Sequence, residues 1–322
     1  MKPAMLPLRH ALAVAVTVLA FGCGSSSDAP AVDAAAPRDG ATDSPVSADA
    51  AADAKPDTSA LIAARPFTLK VPTGYDKTKP TPLVVLLHGY TASGATQEAY
   101  FKFAPVADAK TFLYATPDGT QDKGGNRFWN ATDACCNFDG SAVDDVAYIN
   151  AVIDDVETKY NVDAKRVFLV GHSNGAFMAH RLACDSAPRI AAVAALAGDV
   201  WADATRCNPQ SPVAVLQIHG TADTVIAYGG GKNGSLAVFP SATASIATWA
   251  AKNGCASTAT AGAPLDLESV LLGSETTTAE NTGCKPGGAA LLWTIQGGAH
   301  VPALQSSFAT TVYGFLAAHP KP

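Results

Sequence analysis

Seven short apolar runs recur along the chain and alternate with longer amphipathic segments. The apolar runs lie at residues 67–71, 83–87, 112–115, 167–170, 190–196, 213–218 and 291–295, and the amphipathic segments include 143–159, 175–184, 242–252 and 306–318. Short, continuously apolar runs are typical of strands buried on both faces rather than of strands with one wet face. Strands alternating with helices predict an α/β fold with a mostly parallel central sheet and helices on both faces.

The charge balance excludes two classes of protein. The chain has 322 residues and carries 22 Lys+Arg against 28 Asp+Glu. A mildly acidic chain without a basic stripe attracts a phosphate backbone poorly, so we expect no nucleic-acid partner. No apolar run reaches the roughly 18 to 20 residues that a membrane-spanning helix needs, which argues against an integral membrane protein. We expect a monomer.

The amino end has the pattern of an export signal. A positively charged start precedes the apolar stretch at residues 11–21. Residues 19–23 read LAFGC and resemble a bacterial lipoprotein cleavage site, although Phe21 stands where a small residue is usual. We therefore predict that residues 1–22 are a signal peptide and that a lipid on Cys23 is the protein's only membrane contact and holds it in the cell envelope. Free secretion is the alternative.

The segment that follows has the composition of a linker. Residues 23–60 are rich in Ala, Asp, Pro and Ser and contain no aromatic side chain. Such a segment cannot bury enough apolar surface to offset its ordering entropy, and repulsion between its Asp residues extends it. We predict a disordered linker over 23–60 and one globular domain over 61–322, which is long enough for a single large core.

Six of the seven Cys lie in the globular part, at positions 135, 136, 184, 207, 255 and 284. An even number in an exported chain predicts three disulfides, and the absence of C-x-x-C spacing argues against a metal site. We predict that Cys255 pairs with Cys284, closing the segment between the helix at 242–252 and the last strand. The pairing of the other four stays open.

A nucleophile motif follows one of the predicted strands. Residues 171–175 read GHSNG and lie between a strand and a helix, which is the context of a G-x-S-x-G nucleophile elbow. In a parallel sheet, chemistry gathers at the carboxyl ends of the strands. Ser173 is therefore the candidate nucleophile, and an ordinary strand-to-helix turn is the alternative.

A serine nucleophile needs a base and a carboxylate. His300 lies late in the chain, beyond a strand and in a Gly-rich loop, and is the candidate base. Asp223 and Asp199 both follow strands and compete for the role of acid, and the chain order Ser, Asp, His favours Asp223.

The other histidines and acids near these strands have structural explanations. We expect His88, His172 and His219 to shape loops through hydrogen bonds, and His180, in the middle of a helix, to be a packed or a surface residue. Asp144 and Asp145 open a helix, where negative charge is favourable.

Attack by a serine on a carbonyl group also creates an oxyanion, which needs hydrogen-bond donors. The backbone N–H groups of Tyr90, after the His88-Gly89 turn, and of Asn174, next to the nucleophile, are the candidates.

Four segments carry a resemblance to a known family. They read PLVVLLHG at 82–89, GHSNGAFMAHRLAC at 171–184, VLQIHGTAD at 215–223 and GGAH at 297–300. They resemble the polyhydroxybutyrate depolymerase and feruloyl esterase group of exported α/β-hydrolases, which is similar to carbohydrate esterase family one. The resemblance spans about residues 65–318 and also covers Trp129, the paired cysteines at 135–136 and the DDV segment at 144–146.

The resemblance implies an α/β-hydrolase with Ser173 as nucleophile, Asp223 as acid and His300 as base, and no cofactor or metal. One departure concerns the substrate, because the family usually has a tryptophan two positions after its histidine, where this chain has Pro302. Trp129 and Trp201, with Tyr90, are the remaining candidates for contacts with the substrate, and ordinary packing in the core or at the rim is the alternative for each.

We therefore expect an extracytoplasmic serine carboxylester hydrolase. The short intervals between strands leave little chain for a cap, so an open cleft and a polymeric or oligomeric ester substrate are expected. Short-chain polyester is the first hypothesis, and feruloyl or acetyl esters of plant polysaccharide are the alternative. A surface binding protein on a hydrolase scaffold without activity is the alternative from another class.

Overall fold

A nine-stranded sheet forms the centre of the computed structural model, which describes residues 58–322. The predicted signal peptide, Cys23 and the linker up to residue 57 lie outside the described residues. The strands are β1 (Thr68–Lys70), β2 (Thr81–Leu87), β3 (Leu113–Thr116), β4 (Thr120–Gln121), β5 (Arg127–Phe128), β6 (Val162–His172), β7 (Ala192–Leu196), β8 (Ala214–Gly220), β9 (Gly231–Lys232), β10 (Val238–Phe239), β11 (Ala259–Ala261), β12 (Thr276–Asn281) and β13 (Ala289–Ile295). The helices are α1 (Thr58–Ala64), α2 (Gly94–Phe101), α3 (Phe103–Lys110), α4 (Asp145–Lys159), α5 (Asn174–Asp185), α6 (Ala242–Asn253) and α7 (Phe308–Ala318).

The strand order explains why the polar residues after the strands meet. The large sheet runs β1-β3-β2-β6-β7-β8-β13-β12-β11. Its six central strands, from β3 to β13, are all parallel, while β1, β12 and β11 are antiparallel at the two edges. All seven predicted apolar runs form strands of this sheet, and the carboxyl ends of the six parallel ones lie along one edge. The predicted α/β fold with a mostly parallel sheet is confirmed.

Alternate side chains of each central strand bury two separate apolar layers. In β2, Leu83, Val85 and Leu87 face one layer, with residues of α4, α5 and α6. Val84 and Leu86 face the other, with residues of α2, α3 and α7. Both faces of the sheet are buried, which is why its central strands are continuously apolar in the sequence.

Several elements extend beyond the predicted ones. Helix α1 begins at Thr58, so residues 58–60, which the sequence assigns to the linker, are helical. The long interval between β8 and β13 supplies α6, which packs on β8 and β13. It also supplies the antiparallel strands β12 and β11, of which β11 is the edge strand. None of the helices within residues 58–322 is long and apolar enough to cross a bilayer.

A buried ion pair ties the segment after α1 to the start of α4. Arg65 Nη1 lies 2.7 Å from Asp145 Oδ1, and the side chain of Asp145 is fully buried. The second oxygen of Asp145 accepts a hydrogen bond from the backbone N–H of Asn130 at 2.6 Å. Asp144 caps α4 by accepting from the N–H of Ala147, as a carboxylate at a helix N-terminus does. Helix stabilisation therefore explains Asp144, whereas Asp145 also holds the loop that begins at Asn130.

Three disulfides join the six cysteines of the described chain. Cys255 is bonded to Cys284, the pair that the sequence predicts. The four that stayed open pair as Cys135 with Cys136 and Cys184 with Cys207. The first of these bridges joins neighbours in the chain, so only the second and third close long loops.

We expect the double change Cys255→Ser and Cys284→Ser to lower the free energy of unfolding by about 3 to 4 kcal/mol, because the bridge closes a loop spanning 29 positions. Urea unfolding followed by circular dichroism measures the loss. Cys284 precedes β13, at the sheet edge opposite the carboxyl ends, so catalytic constants of the folded variant should match those of the parent. An unchanged urea midpoint would show that this bridge contributes no stability.

Candidate active site

Three side chains from different loops form a hydrogen-bonded triad at the carboxyl edge of the sheet. Ser173 follows β6, Asp223 follows β8 and His300 follows β13. His300 Nε2 lies 2.9 Å from Ser173 Oγ, and His300 Nδ1 lies 2.8 Å from Asp223 Oδ2. The structure thus brings together the three residues selected from the sequence, in the geometry that nucleophile, base and acid require.

The turn around Ser173 is tight, and its backbone is strained. Ser173 has φ of 53° and ψ of −121°, a region that few residues other than glycine adopt. A Cβ on Gly171 would lie 2.2 Å from the carbonyl oxygen of Gly175, and one on Gly175 would lie 2.1 Å from that of Leu87. Only glycine fits at these two positions, and the strain is typical of a nucleophile elbow.

The carboxylate of Asp223 is surrounded by donors. The backbone N–H groups of Val225 and Ile226 both donate to its Oδ1 at 2.8 Å. Burial by itself would raise the pKa of Asp223, but hydrogen bonds from His219 and His300 outweigh it and hold the pKa well below its usual range. Asp223 is therefore ionised at neutral pH and fixes the His300 proton on Nδ1.

The rival carboxyl, Asp199, makes its hydrogen bonds elsewhere. Its Oδ1 accepts a hydrogen bond from Ser245 Oγ at 2.9 Å, and its Oδ2 has no partner within residues 58–322. Burial raises the pKa of Asp199 to about 6, and the charge of His219 and the Ser245 bond oppose this only in part. His300 pairs with Asp223 and not with Asp199, which agrees with the preference drawn from chain order.

Two backbone donors adjoin the nucleophile. A Cβ on Gly89 would lie 3.4 Å from the Cβ of Ser173, so the turn that leads to Tyr90 packs directly against the serine. Asn174 is the first residue of α5, where backbone N–H groups have no partner in the helix. Neither the Tyr90 nor the Asn174 N–H donates a hydrogen bond within the described chain. Both are free to meet an oxyanion.

The histidines near the site hold its loops, as expected from the sequence. His88 donates from Nδ1 to the Gly89 carbonyl at 2.7 Å and accepts from the Gly119 N–H at 2.9 Å. His172 Nε2 donates to the carbonyl oxygen of His300 at 2.9 Å. Burial lowers the pKa of His172 to about 4, so this ring is neutral at pH 7 and acts as a fixed support for the catalytic loop.

Ser173 and His300 open on a cavity of about 280 Å³. Its wall includes Tyr90, Tyr100 and Val301 in addition to the pair. The hydroxyl of Tyr100 donates to the carbonyl oxygen of Pro302 at 2.7 Å and so braces the loop that carries His300.

Two side chains of this wall, Tyr100 and Gln97, are not predicted from the sequence. Gln97 Oε1 accepts from the Gly89 N–H at 3.2 Å, whereas its buried Nε2 has no partner in the described chain. Both side chains belong to α2, which has no strongly apolar pattern in the sequence. The only available signal was the nearness of α2 in the chain to the His88-Gly89 turn.

Trp129 is a correction to the prediction from the sequence, which offers it as a substrate contact. Its side chain is fully buried, and its indole N–H donates to the carbonyl oxygen of His88 at 3.0 Å. Asn174 brackets the main chain of Trp129, accepting from its N–H at 2.6 Å and donating to its carbonyl oxygen at 3.0 Å. Trp129 supports the turn before Tyr90 and has no surface to offer a substrate.

Trp201 is the second correction. It is only 5 % exposed and does not line the Ser173 cavity. It borders a separate cavity of about 340 Å³, where the guanidinium of Arg206 lies 5.6 Å from its ring centre and pairs with Asp133. Of the three aromatic residues predicted as contacts, the structure places only Tyr90 at the cavity.

The geometry agrees with what comparisons with known proteins find. A family model described as phospholipase/carboxylesterase matches residues 73–239, just over half of the chain. The chain belongs to this family. The match includes the β2 turn, the Ser173 elbow and Asp223, and ends before His300. The resemblance to esterases of the α/β-hydrolase fold is therefore confirmed.

Named esterases are among the relatives of this family member. Feruloyl esterase B of Piromyces equi is 30% identical over 243 residues, which are 73% of this chain and 42% of the relative. Feruloyl esterase C of Emericella nidulans is 30% identical over 176 residues, which are 53% of this chain and 59% of the relative. The chain thus spans less than two thirds of the length of either relative.

A solved structure supports the fold independently. The acetyl xylan esterase from Aspergillus awamori superimposes with a TM-score of 0.56 over 77% of this chain and 93% of its own, at 17% sequence identity. At that identity the likeness concerns the fold alone. Within residues 58–322, no group of three or more His, Cys, Asp or Glu side chains is arranged to hold a metal ion.

Proposed function

We propose that the protein is a serine carboxylester hydrolase that works through an acyl-enzyme. The observation that carries the proposal is the hydrogen-bonded triad of Asp223, His300 and Ser173. Its serine opens on a cavity beside two free backbone N–H groups. No metal or organic cofactor takes part in the proposed reaction.

The residues divide the reaction between them. Ser173 Oγ attacks the ester carbonyl while His300 Nε2 takes its proton, and the N–H groups of Tyr90 and Asn174 bind the resulting oxyanion. His300 then gives the proton to the leaving alcohol, so the C–O bond breaks and the acyl group stays on Ser173. Water repeats the sequence in the second half-reaction, with His300 again as base, and releases the acid. Asp223 orients His300 and stabilises the imidazolium at each step.

The proposed substrate is a feruloyl or acetyl ester of plant polysaccharide. The relatives are named as feruloyl esterases, and Tyr90 and Tyr100 give the cavity an aromatic wall that suits a phenolic acyl group. The sequence places polyester first, and the names of the relatives lead us to reverse that order. Polyester is the second candidate because Val301, which borders the cavity, is 58 % exposed and offers apolar surface at its mouth.

A substrate panel on purified protein tests the proposal, with the Ser173→Ala variant as the background. We expect release of ferulate from feruloylated xylo-oligosaccharides, and turnover of aryl acetate and butyrate that falls steeply with longer acyl chains. The reason is that a cavity of about 280 Å³ has no room for a long chain. Hydroxy acid released from short-chain polyhydroxyalkanoate, without ferulate or acetate release, would restore the polyester hypothesis. No hydrolysis of any ester would overturn the proposed activity.

The proposed location is outside the cytoplasm, with the protein acting as a monomer. Three disulfides within residues 58–322 suit an oxidising compartment. A lipid anchor on Cys23 stays a prediction from the sequence. Mass spectrometry of the mature amino terminus tests it, because a diacylglyceryl group on Cys23 and an unmodified secreted end differ in mass.

A further inference from the structure

A chain of buried hydrogen bonds reaches the catalytic carboxylate from behind. Trp249 Nε1 lies 2.9 Å from His180 Nδ1, and His180 Nε2 lies 2.9 Å from Gln217 Oε1. Gln217 Nε2 in turn lies 3.2 Å from His219 Nδ1. His219 Nε2 lies 3.4 Å from Asp223 Oδ2, the same oxygen that pairs with His300. All four side chains before Asp223 are fully buried.

The direction of each bond in this chain is fixed by its first member. An indole nitrogen can only donate, so His180 Nδ1 is an acceptor and its proton sits on Nε2. That proton goes to the Gln217 oxygen, which leaves the Gln217 amide nitrogen as the donor to His219 Nδ1. The same nitrogen also donates to the Gly198 carbonyl at 2.9 Å, which holds the amide in this orientation.

The proton of neutral His219 is therefore on Nε2. That nitrogen lies 2.7 Å from the carbonyl oxygen of Ile226 and faces Asp223 Oδ2 as well. One oxygen of the catalytic carboxylate is thus hydrogen-bonded to His300 at 2.8 Å, and the His219 N–H, which donates to Ile226, lies 3.4 Å from the same oxygen on its other side.

We propose that His219 is a positioning residue for catalysis: it holds the Asp223 carboxylate in line with His300 and limits how strongly that carboxylate retains a proton on the base. The inference rests on the proposed function and extends its machinery by one residue. His219 touches neither the substrate nor Ser173 and acts only through Asp223.

Other ionisable groups surround His219. Asp199 faces it from the loop after β7, and the Tyr228 ring packs edge-on at 5.7 Å from the loop after β8. The charge of His219 acts in turn on His172, at the end of β6, and contributes to lowering the pKa of that ring. Burial by itself would lower the pKa of His219, but the bond to Asp223 and the charge of Asp199 raise it.

Neutral and protonated His219 act on the base in the same direction, and the protonated ring acts more strongly. Either form withdraws electron density from Asp223 Oδ2 and so weakens the hold of that oxygen on the His300 imidazolium. Removing His219 should therefore make His300 easier to protonate, and the acid limb of kcat/KM should move to higher pH.

Three variants of the full chain test the proposal with an aryl acetate as substrate. His219→Phe keeps the ring volume and removes the donor, and we expect kcat to fall about 10- to 100-fold with KM changed less than about 3-fold. Its acid limb should move up by about 0.5 to 1 pH unit. His219→Gln restores an N–H towards Asp223 and should recover kcat to within about 5-fold of the parent.

His180→Phe is the matched control. His180 is as buried as His219 and also bonds Gln217, but it does not touch Asp223. In this variant the bond from Gln217 to the Gly198 carbonyl still orients the amide towards His219. The loss of His180 should therefore lower stability while leaving kcat and the acid limb within about 2-fold and about 0.2 pH unit of the parent.

The outcomes separate this inference from the proposed function. Parent-like kcat and acid limb in His219→Phe would overturn it, as would equal losses in the two Phe variants with unmoved limbs. If His219→Phe does not fold, His219→Gln becomes the deciding variant, and a kcat loss above about 50-fold in it would contradict the proposal. If the parent hydrolyses no ester, the proposed function fails, and proton NMR of the His300 Nδ1–H decides the inference instead. The resonance of this proton should shift in His219→Phe. If that variant is unfolded, the resonance should stay in place in His219→Gln.

Discussion

Replacing Ser173 by alanine is expected to lower kcat for ester hydrolysis by about five to six orders of magnitude while the fold stays intact. The change removes the attacking oxygen but little volume, and the three residues of such a triad act as one catalytic unit. Alanine also tolerates the left-handed backbone no worse than serine does. Initial rates with an aryl acetate measure the loss, and circular dichroism checks the fold.

Labelling with a fluorophosphonate distinguishes an enzyme from a binding protein on the same scaffold. The parent should react at Ser173, the Ser173→Ala variant should not, and Ser235→Ala, at an exposed serine on the β9–β10 turn, should react like the parent. A parent that resists the probe would favour the binding-protein hypothesis. Full hydrolytic activity in Ser173→Ala would place the nucleophile elsewhere.

The second large effect is expected from Asp223→Asn, with a loss of about 10³- to 10⁴-fold in kcat. An amide can present its own N–H to His300, which favours the tautomer that cannot accept the serine proton. Asp199→Asn is the matched control, because it makes the same chemical change in a buried carboxyl that follows the neighbouring strand. Its kcat should stay within about 5-fold of the parent, since the hydrogen bond of its Oδ1 is to Ser245 and not to His300.

Steady-state kinetics on both variants at pH 8 measures the contrast. A large loss in Asp199→Asn with a small one in Asp223→Asn would reverse the assignment of the acid. Equal losses would show that the pair acts together, contrary to the separate hydrogen-bond partners seen in the structure.

The sequence predicts the interior of this fold better than its edges. Strands such as β2 and β8 are buried on both faces, so an apolar run marks them without ambiguity. Strand β12, the second strand from one edge of the sheet, reads TTTAEN and is partly exposed, so it has no apolar pattern to detect. Helix α3 is obscured by Pro105, which suggests a break in the sequence but lies in the first turn, where proline is tolerated.

Some residues of the candidate site could be predicted from the sequence and others could not. Ser173, Asp223 and His300 could be selected because each follows a predicted strand and parallel strands end at one edge. The burial of Trp129 could not, because an aromatic residue in a long loop is equally compatible with a cavity wall and with the core. Pairing of Cys135 with Cys136 was likewise hidden, since it depends on distances that spacing does not give.

The two bonds from the Asn174 side chain to the Trp129 main chain have a consequence for how the protein can be altered. The main-chain N–H of Asn174 faces the reacting oxygen, while its side chain holds the start of the loop that begins at Trp129. Any shift at the start of that loop therefore moves the oxyanion donor as well. Changes there will register as slower turnover even when affinity is kept. The loop tip around Phe138 is half exposed and packs on the ring of Tyr90, and it is not bonded to Asn174. Attempts to broaden the range of accepted esters should therefore vary the loop tip around Phe138 and leave the start of the loop at Trp129 unchanged.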